Sequence, residues 1–314
     1  MRYAVVFKTY AWDAFVHRQA SRCRAATGSG DFFVSVDETG GPVGPVPFDR
    51  VVRTRNAEIT ALGFADRFEK GSLLWWNPDY VHYQFQERHP EYDYYVFVEY
   101  DVVVRTSIER MVERMAAQRA DLVALPPRTP KQEWFWTIYH RQTYSFEDLQ
   151  GSLICMTAFS RRALQMLARR RREMTGDAAV RFWPMAEVFI PTEIARAGYR
   201  SMSLAEFGGV DQYQSFPPVL EDDLAGTGGD AVLHPVLDRD RYVTAMLKST
   251  ARFRSFLYPR SRMWRSLARF PRQEYLPKLY GAAYRRLRMS LKEKYQRRRL
   301  QRMFTPVVGE WRRP

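Results

Sequence analysis

Two acidic residues, Glu99 and Asp101, stand where a strongly apolar stretch ends. Residues 94–98 are aromatic or β-branched without interruption, which predicts a strand buried on both faces of a sheet. On an extended backbone, carboxylates at positions i and i+2 point to the same side, roughly 7 Å apart, so they can share one cation. Because ligands of open parallel sheets collect beyond the carboxyl ends of the strands, this pair predicts a ligand site. The alternative is that both are ordinary solvated acids.

Two later residues are candidates to complete such a site. Glu187 opens an apolar stretch of helical spacing and is flanked by Trp183, Met185 and Phe189. Desolvation would raise the pKa of Glu187, although a helix N-terminus opposes that shift, and a raised pKa suits a general base. His234 ends a short apolar run, and imidazole with carboxylate is a sound donor set for a divalent metal ion. Alternatively, Glu187 is a capping or solvated residue and His234 a structural one.

The composition is that of a globular protein. A chain of 314 residues with 46% hydrophobic and 15% aromatic content can bury a large core, as one α/β domain or as a domain with an appendage. The N-terminal apolar run meets charge at Lys8 and Asp13, so we expect neither a signal peptide nor a membrane span there. Cys23 and Cys155 lack metal-ligand spacing. We therefore expect buried thiols in a reducing cytoplasm and assign them no chemistry.

The elements that must position these residues alternate between strand and helix. The pattern predicts strands at residues 3–7, 31–39, 50–55, 94–98, 121–125 and 149–160. It predicts helices at residues 11–27, 56–68 and 107–119, and others that begin near residues 78, 161 and 187. Strand, helix and strand within the first 40 residues indicate a parallel α/β sheet.

The order of these features resembles that of bacterial GT-A glycosyltransferases, a family of nucleotide-diphospho-sugar transferases. The apolar strand followed by Glu99-Tyr100-Asp101 looks like the DxD-type motif of that family, with Glu in place of the first Asp. The resemblance implies an α/β fold with a Rossmann-like, mostly parallel sheet flanked by helices. It also implies that Asp101 and His234 bind Mn²⁺ or Mg²⁺, with Glu99 and Tyr100 beside the donor.

The same resemblance implies the remaining roles. Glu187 would deprotonate the acceptor hydroxyl, so that the anomeric carbon is inverted. The implied donor is a nucleotide diphosphate sugar, with UDP-sugars favoured, and the implied acceptor is a glycan or a lipid-linked glycan of the cell envelope. The aromatic-rich residues 126–146 are expected to be a lid over the acceptor, although packing is their ordinary use. The implied donor contacts are Phe7, Lys8, Thr9, Asp37 and Asp79, although residues 37–40 also read as a simple turn.

Charge divides the chain near residue 245. Residues 245–314 carry 20 Lys and Arg against three acids, whereas residues 1–244 carry 29 against 32. We therefore predict a catalytic domain at residues 1–244 and a basic, aromatic-rich helical region at residues 245–314. Residues 245–302 are predicted to lie on an anionic membrane surface, which puts a cytoplasmic enzyme on the inner face of the membrane. Nucleic-acid binding and simple packing on the body are the alternatives.

Two other functions stay open. A nucleotidyltransferase also uses nucleotides, but the expected Gly-rich loop with Lys or Arg after the first strand is absent from the sequence. A non-catalytic envelope- or nucleic-acid-binding protein built on a transferase-like fold is the alternative outside the enzymes.

Overall fold

A computed structural model describes residues 1–129, 143–250 and 253–304. Most of the predicted lid at residues 126–146 lies outside the described residues. The strands are Tyr3–Thr9 (β1), Asp31–Asp37 (β2), Val51–Thr54 (β3), Tyr94–Glu99 (β4), Val103–Val104 (β5), Leu122–Ala124 (β6), Met156–Ser160 (β7), Ser201–Ser203 (β8), Val219–Leu220 (β9), Val232–Leu233 (β10) and Val236–Leu237 (β11). The α-helices are Ala14–Thr27 (α1), Asn56–Ala61 (α2), Leu73–Trp76 (α3), Asp79–Arg88 (α4), Ile108–Gln118 (α5), Arg161–Thr175 (α6), Ala186–Arg196 (α7), Arg239–Ser249 (α8), Arg254–Leu257 (α9), Arg262–Leu267 (α10) and Arg272–Phe304 (α11).

Seven of the described strands form one sheet in the order β3-β2-β1-β4-β7-β6-β8. Within this sheet β7 runs antiparallel to both of its neighbours, β4 and β6, and the other neighbouring pairs are parallel. Side chains of α4, α6 and α7 pack on one face of the sheet, and side chains of α1 and α5 pack on the other. The predicted α/β fold with a mostly parallel sheet flanked by helices is therefore confirmed.

The central strand β4 explains the uninterrupted apolar run. Tyr95 and Phe97 lie in the core on the α4 side, whereas Val96 and Val98 lie in the core on the α1 side, and none of the four is exposed. Successive side chains of a strand point to opposite faces, so a strand covered on both faces has to be apolar at every position. Each such side chain contributes about 1.5–3 kcal/mol relative to exposure.

Local signals fix where several helices begin and end. The Asp13 carboxylate accepts a hydrogen bond from the Val16 amide at 3.0 Å and begins α1, and Ser160 Oγ accepts one from the Ala163 amide at 3.2 Å and begins α6. The predicted helix at residues 56–68 is too long. It ends at Ala61, because the chain passes through Gly63 with φ of +85°, a conformation that a helix cannot continue through.

The chain forms two compact units. The first contains Met1–Val219 and Asp223–Val236, and the second contains Leu220–Asp222 and Leu237–Pro314. The charge boundary predicted near residue 245 falls inside α8. None of the described helices combines the length and the apolar character needed to cross a membrane.

The second unit is helical and has its own small core. Most of its buried side chains come from α8, α9, α10 and α11, and Lys278 of α11 forms an ion pair with Asp240 of α8. Four of the aromatic and leucine residues that the sequence assigned to a membrane surface are buried in this core: Phe256, Leu267, Tyr275 and Leu279.

Candidate active site

Strand register brings Lys8 next to Glu99. In the parallel pair β1 and β4, the Cα of Lys8 is opposite that of Glu99 at the carboxyl ends of both strands. Their side chains meet, with Lys8 Nζ 3.5 Å from Glu99 Oε1. Burial alone would raise the pKa of Glu99, but the positive charge of Lys8 and the nearby His234 outweigh it, and the net shift is downward. Glu99 is therefore a carboxylate at neutral pH.

The buried His82 holds the other side of Lys8. His82 comes from α4, stacks on Phe97 with ring centroids 3.8 Å apart, and has its Nε2 atom 3.1 Å from Lys8 Nζ. Burial and the charge of Lys8 lower the pKa of His82 well below its usual range, so the ring is neutral. A neutral Nε2 facing an ammonium has to accept its hydrogen bond, which fixes the direction of the Lys8 side chain.

A turn directly after β4 changes the predicted geometry of the acid pair. The strand ends at Glu99, and the Val102 amide donates to the Glu99 carbonyl oxygen at 3.0 Å, which closes a turn through Tyr100 and Asp101. The backbone is therefore not extended through the triplet, and the expected i, i+2 spacing along a strand is wrong. The turn aims the Asp101 carboxylate inward instead.

The short strand β10 delivers His234 to Asp101. β10 pairs antiparallel with β5, and the Val236 amide donates to the Asp101 carbonyl oxygen at 2.7 Å. His234 Nε2 is then 3.7 Å from Asp101 Oδ1. His234 Nδ1 lies 3.0 Å from the Gln214 carbonyl oxygen, an acceptor only, so Nδ1 carries the proton and donates. Nε2 is therefore the ring nitrogen that faces the acids and is available to a metal ion.

One oxygen of the Asp101 carboxylate lacks a hydrogen-bond partner among the described residues. This oxygen, Oδ1, is buried. Burial raises the pKa of Asp101 to about 6, with His234 opposing the shift and Glu99 adding to it. A buried carboxylate oxygen without a partner is costly, which points to a positively charged or hydrogen-donating ligand at this atom.

Glu187 lies in the first turn of α7 and is partly exposed. Its backbone carbonyl accepts a hydrogen bond from the Ser152 amide at 2.8 Å, which ties the start of α7 to the segment before β7. Burial raises the pKa of the Glu187 carboxyl to about 8, and the charge of Glu99 adds to the shift. The N-terminus of α7, which was expected to lower the pKa of Glu187, is outweighed by burial. A carboxyl with this pKa can exchange a proton near neutral pH.

Cys155 also borders the site, although no metal-ligand spacing predicted it there. The Glu99 amide donates to the Cys155 carbonyl oxygen at 2.9 Å, which sets the thiol beside the Glu99 carboxylate. One ligand atom each from Glu99, Cys155 and His234 lie within 4.8 Å of one another. Burial and the neighbouring acids raise the pKa of the Cys155 thiol well above its usual range. The available signal was its position within the predicted strand at residues 149–160.

Two of the predicted donor contacts lie in the core, whereas Thr9 lies at the carboxyl end of β1. Phe7 and Asp79 are completely buried. Phe7 belongs to the core on the α1 side, and the Asp79 carboxylate accepts from Arg171 Nε at 2.7 Å, so we leave both out of the proposed donor site. Thr9 donates to the Ala11 carbonyl oxygen at 2.7 Å in the turn after β1.

Two of the predicted donor contacts stay at the surface near the carboxyl ends of β2 and β4. The Asp37 carboxylate accepts from the Thr39 amide at 2.8 Å in a turn directly after β2, and it stays partly exposed. The Tyr100 ring meets the exposed Tyr10 edge-on, with ring centroids 5.3 Å apart. Both side chains therefore remain accessible to a ligand.

The donor set near Asp101 fits a divalent cation. The unpartnered Oδ1 atom of Asp101 faces the lone pair of His234 Nε2, and Glu99 adds a second carboxylate. Carboxylate oxygen is the donor that Mg²⁺ and Mn²⁺ prefer, and imidazole is accepted by most first-row divalent ions. The residues present are thus compatible with the predicted metal ion.

Comparison with known proteins gives only distant structural likeness. No family model matches the chain, and neither does any curated protein sequence.

Solved structures resemble the chain at low sequence identity. Mouse xyloside xylosyltransferase 1 has 9% identity and a TM-score of 0.42, over 65% of this chain and 85% of that one. The galactosyltransferase LgtC, solved with donor and acceptor sugar analogs, has 11% identity and a TM-score of 0.42, over 74% of this chain and 86% of that one. A glycosyltransferase involved in glycosylation of the major capsid of PBCV-1 has 8% identity and a TM-score of 0.36, over 74% of this chain and 92% of that one. A likeness this distant carries no conclusion about the function of this chain. Any proposal about function therefore rests on the geometry of the site.

Proposed function

We propose that the chain is a GT-A-type glycosyltransferase that moves a sugar from a nucleotide diphosphate sugar to a glycan or lipid-linked acceptor. The observation that carries the proposal is the buried, unpartnered Asp101 Oδ1 facing His234 Nε2 beside the Lys8 and Glu99 pair. This arrangement stands at the carboxyl end of β4, where ligands of an open α/β sheet bind. A cation site, an ammonium group and a carboxyl base together match the needs of a diphosphate leaving group and a hydroxyl nucleophile.

In this proposal Asp101 and His234 hold Mn²⁺ or Mg²⁺, with Glu99 contributing charge. When bound, such an ion supplies positive charge that stabilises the departing diphosphate. Lys8 supplies a second positive charge for the phosphates, because His82 and Glu99 fix its amino group at the end of β1. Asp37, Thr9 and Tyr100 border the same strand ends and are the proposed nucleoside side of the donor site, with UDP favoured as the nucleotide.

Glu187 is the proposed general base. Its carboxylate takes the proton of the acceptor hydroxyl while the hydroxyl oxygen forms a bond to the anomeric carbon. The bond from that carbon to the diphosphate oxygen breaks, and its electron pair leaves with the nucleotide. Attack from the side opposite the diphosphate inverts the anomeric centre. The pKa of about 8 supports the role, since a base works best when its pKa lies near the working pH.

The test is calorimetric titration with UDP, GDP and CMP, each with and without Mn²⁺. Wild type is expected to bind one nucleotide diphosphate in a Mn²⁺-dependent way, and Asp101→Ala is expected to lose that dependence. The matched control is Asp66→Ala, which removes an exposed carboxylate from the segment between α2 and α3. If the folded wild-type protein binds none of the nucleotides, the transferase proposal is wrong.

We further propose that the second unit attaches to an anionic membrane surface through α11, as the composition of the tail predicts. Five exposed residues lie on one side of this helix at spacings of three and four: Tyr280, Tyr284, Leu287, Leu291 and Tyr295. At about 100° per residue they fall within roughly 80° of the circumference. The exposed Arg288 borders this stripe, and the exposed Lys292 and Arg285 lie further round the same side of the helix, roughly 100° and 120° from the middle of the stripe. Apolar side chains bordered by bases suit the boundary between anionic headgroups and acyl chains.

A further inference from the structure

A trio of potential metal ligands includes a sulfur atom. Glu99 at the end of β4, Cys155 just before β7 and His234 just after β10 each offer one ligand atom, and these atoms lie within 4.8 Å of one another. Within the described ranges of the chain, no other group of three or more His, Cys, Asp or Glu residues brings its ligand atoms this close together. Three separate segments converge here, so the cluster is a product of the fold and not of local sequence.

Backbone pairing makes this convergence rigid. The Glu99 amide donates to the Cys155 carbonyl oxygen at 2.9 Å, and β10 pairs with β5 four residues beyond Glu99. The Gln214 carbonyl accepts from His234 Nδ1 at 3.0 Å, which leaves Nε2 as the ligand atom. A hydrogen bond from the second nitrogen to a carbonyl is the usual support of a metal-binding histidine. The ligands are thus preorganised and supported.

A fourth donor lies close by. Asp101 Oδ1 is 3.7 Å from His234 Nε2, is buried, and has no hydrogen-bond partner in the described part of the chain. The combined set is one sulfur, one imidazole nitrogen and two carboxylate oxygens. Oxygen and nitrogen donors alone would suit Mn²⁺, whereas a thiolate added to them favours Zn²⁺ and similar ions that bind sulfur strongly.

We propose that Cys155, Glu99 and His234, with Asp101 as fourth donor, form a site for a thiophilic divalent cation of the Zn²⁺ class, with Cys155 bound as thiolate. Binding converts the thiol to a metal-bound thiolate and releases its proton to solvent, with no change of oxidation state. The site overlaps the proposed Mn²⁺ position, so a Zn²⁺-class ion and Mn²⁺ exclude one another. The inference stands on the donor set alone and does not depend on the transferase activity.

The test uses Co²⁺ as a spectroscopic substitute for Zn²⁺ on the reduced, metal-free, full-length protein. Coordination of Co²⁺ by thiolate gives a charge-transfer absorption band in the near ultraviolet, which oxygen and nitrogen ligands do not give. Wild type is expected to show this band, saturating at one Co²⁺ per chain and disappearing when Zn²⁺ is added. Cys155→Ser should lose the band. Cys23→Ser should keep it, because Cys23 is buried in the α1 core.

Three outcomes overturn the inference: no Co²⁺ bound by wild type, Co²⁺ bound without the band, or a band that survives Cys155→Ser. The first two need no variant, so a failure of Cys155→Ser to fold leaves the test intact. His234→Ala is the second variant and should weaken Co²⁺ binding at least tenfold. Mn²⁺-dependent nucleotide titration is a separate readout, and either result can occur without the other.

Discussion

The Glu187 carboxyl sets the expected pH dependence of transfer. A general base works only as the carboxylate, and burial raises its pKa to about 8. Below that value the protonated fraction dominates, so kcat/KM should fall about tenfold for each pH unit under pH 8 and level off above it. Pre-steady-state or initial rates of sugar transfer from pH 6 to pH 9.5 measure this pH dependence.

Glu187→Gln provides the check on that assignment. The amide keeps the size of the side chain and cannot take a proton. We expect transfer to drop by roughly 10²–10⁴-fold and the pH limb to vanish, with nucleotide affinity unchanged. A flat profile in wild type, or full activity in the variant, would move the base to another residue or exclude this mechanism.

Lys8 and His82 give a second prediction for single side chains. Lys8→Met retains most of the chain length and removes the charge, so affinity for a nucleoside diphosphate should fall at least tenfold, since hydrogen bonds to charged groups contribute about 1.5–3 kcal/mol. His82→Phe keeps the stack on Phe97 but removes the acceptor for Lys8. His82→Phe should therefore lower the affinity for the nucleoside diphosphate by a smaller factor than Lys8→Met does. Calorimetric titration with UDP and with uridine measures both, and uridine affinity should stay unchanged because it carries no phosphate.

At the scale of elements, a buried ion pair ties α4 to α6. Asp79 and Arg171 are both fully buried, with Arg171 Nε 2.7 Å from Asp79 Oδ2, and Arg171 also donates to the Pro184 carbonyl oxygen at 2.8 Å. Asp79→Asn leaves a buried guanidinium without its counter-charge. The free energy of unfolding should fall by about 3–5 kcal/mol, measured by urea denaturation.

An exposed ion pair on the same helix is the matched control. Arg88 of α4 and Glu58 of α2 are 2.8 Å apart, and both side chains are more than 40% exposed. Glu58→Gln should change the free energy of unfolding by less than about 1 kcal/mol, since exposed ion pairs contribute little. Equal effects of the two substitutions would contradict the assignment of Asp79 and Arg171 as a structural pair.

Local sequence predicts helices and strands better than it predicts which of them pack together and in which direction. The apolar run of β4 and the beginning of α6 near residue 161 were readable because the signals lie within a few residues of each other. The antiparallel direction of β7 was not readable, because apolar alternation looks the same in both directions. The predicted strand at residues 149–160 shortens to Met156–Ser160, because an apolar segment can be buried without joining the sheet along its whole length: Gly151 forms only an isolated bridge with Arg128.

The candidate site divides in the same way. Residue type and order sufficed to single out Glu99, Asp101, Glu187 and His234, because acids and imidazole next to apolar runs are unusual. Lys8 was found only through resemblance, and His82 and Cys155 were missed. Their places beside Lys8 and Glu99 depend on strand register and on the packing of α4. His82 meets Lys8 across 74 residues, and Cys155 meets Glu99 across 56 residues, and no local pattern encodes such contacts.

At the scale of the whole molecule, charge separates the two ends of the chain. Residues 245–314 have a surplus of bases, and residues 1–244 have a slight surplus of acids. An anionic surface therefore attracts the second unit and not the body. Binding of the full-length protein to vesicles containing phosphatidylglycerol should exceed binding to phosphatidylcholine vesicles, and it should weaken steeply with added salt. Two such basic helices side by side would repel, which argues against self-association through the same stripe.

The stripe on α11 supplies the apolar part of that binding. Replacing Tyr284 and Leu291 by Ser removes two exposed apolar side chains and keeps every charge, so vesicle affinity should fall about tenfold or more, since full burial of one such side chain contributes about 1.5–3 kcal/mol. Met289→Ser is the control: Met289 is 52% exposed on the same helix, about 160° from the middle of the stripe. Its vesicle affinity should stay within about twofold of wild type, by co-sedimentation. Equal losses in both variants, or binding to nucleic acid that exceeds binding to anionic vesicles, would reject the membrane proposal and favour a role of the basic helix in nucleic-acid binding.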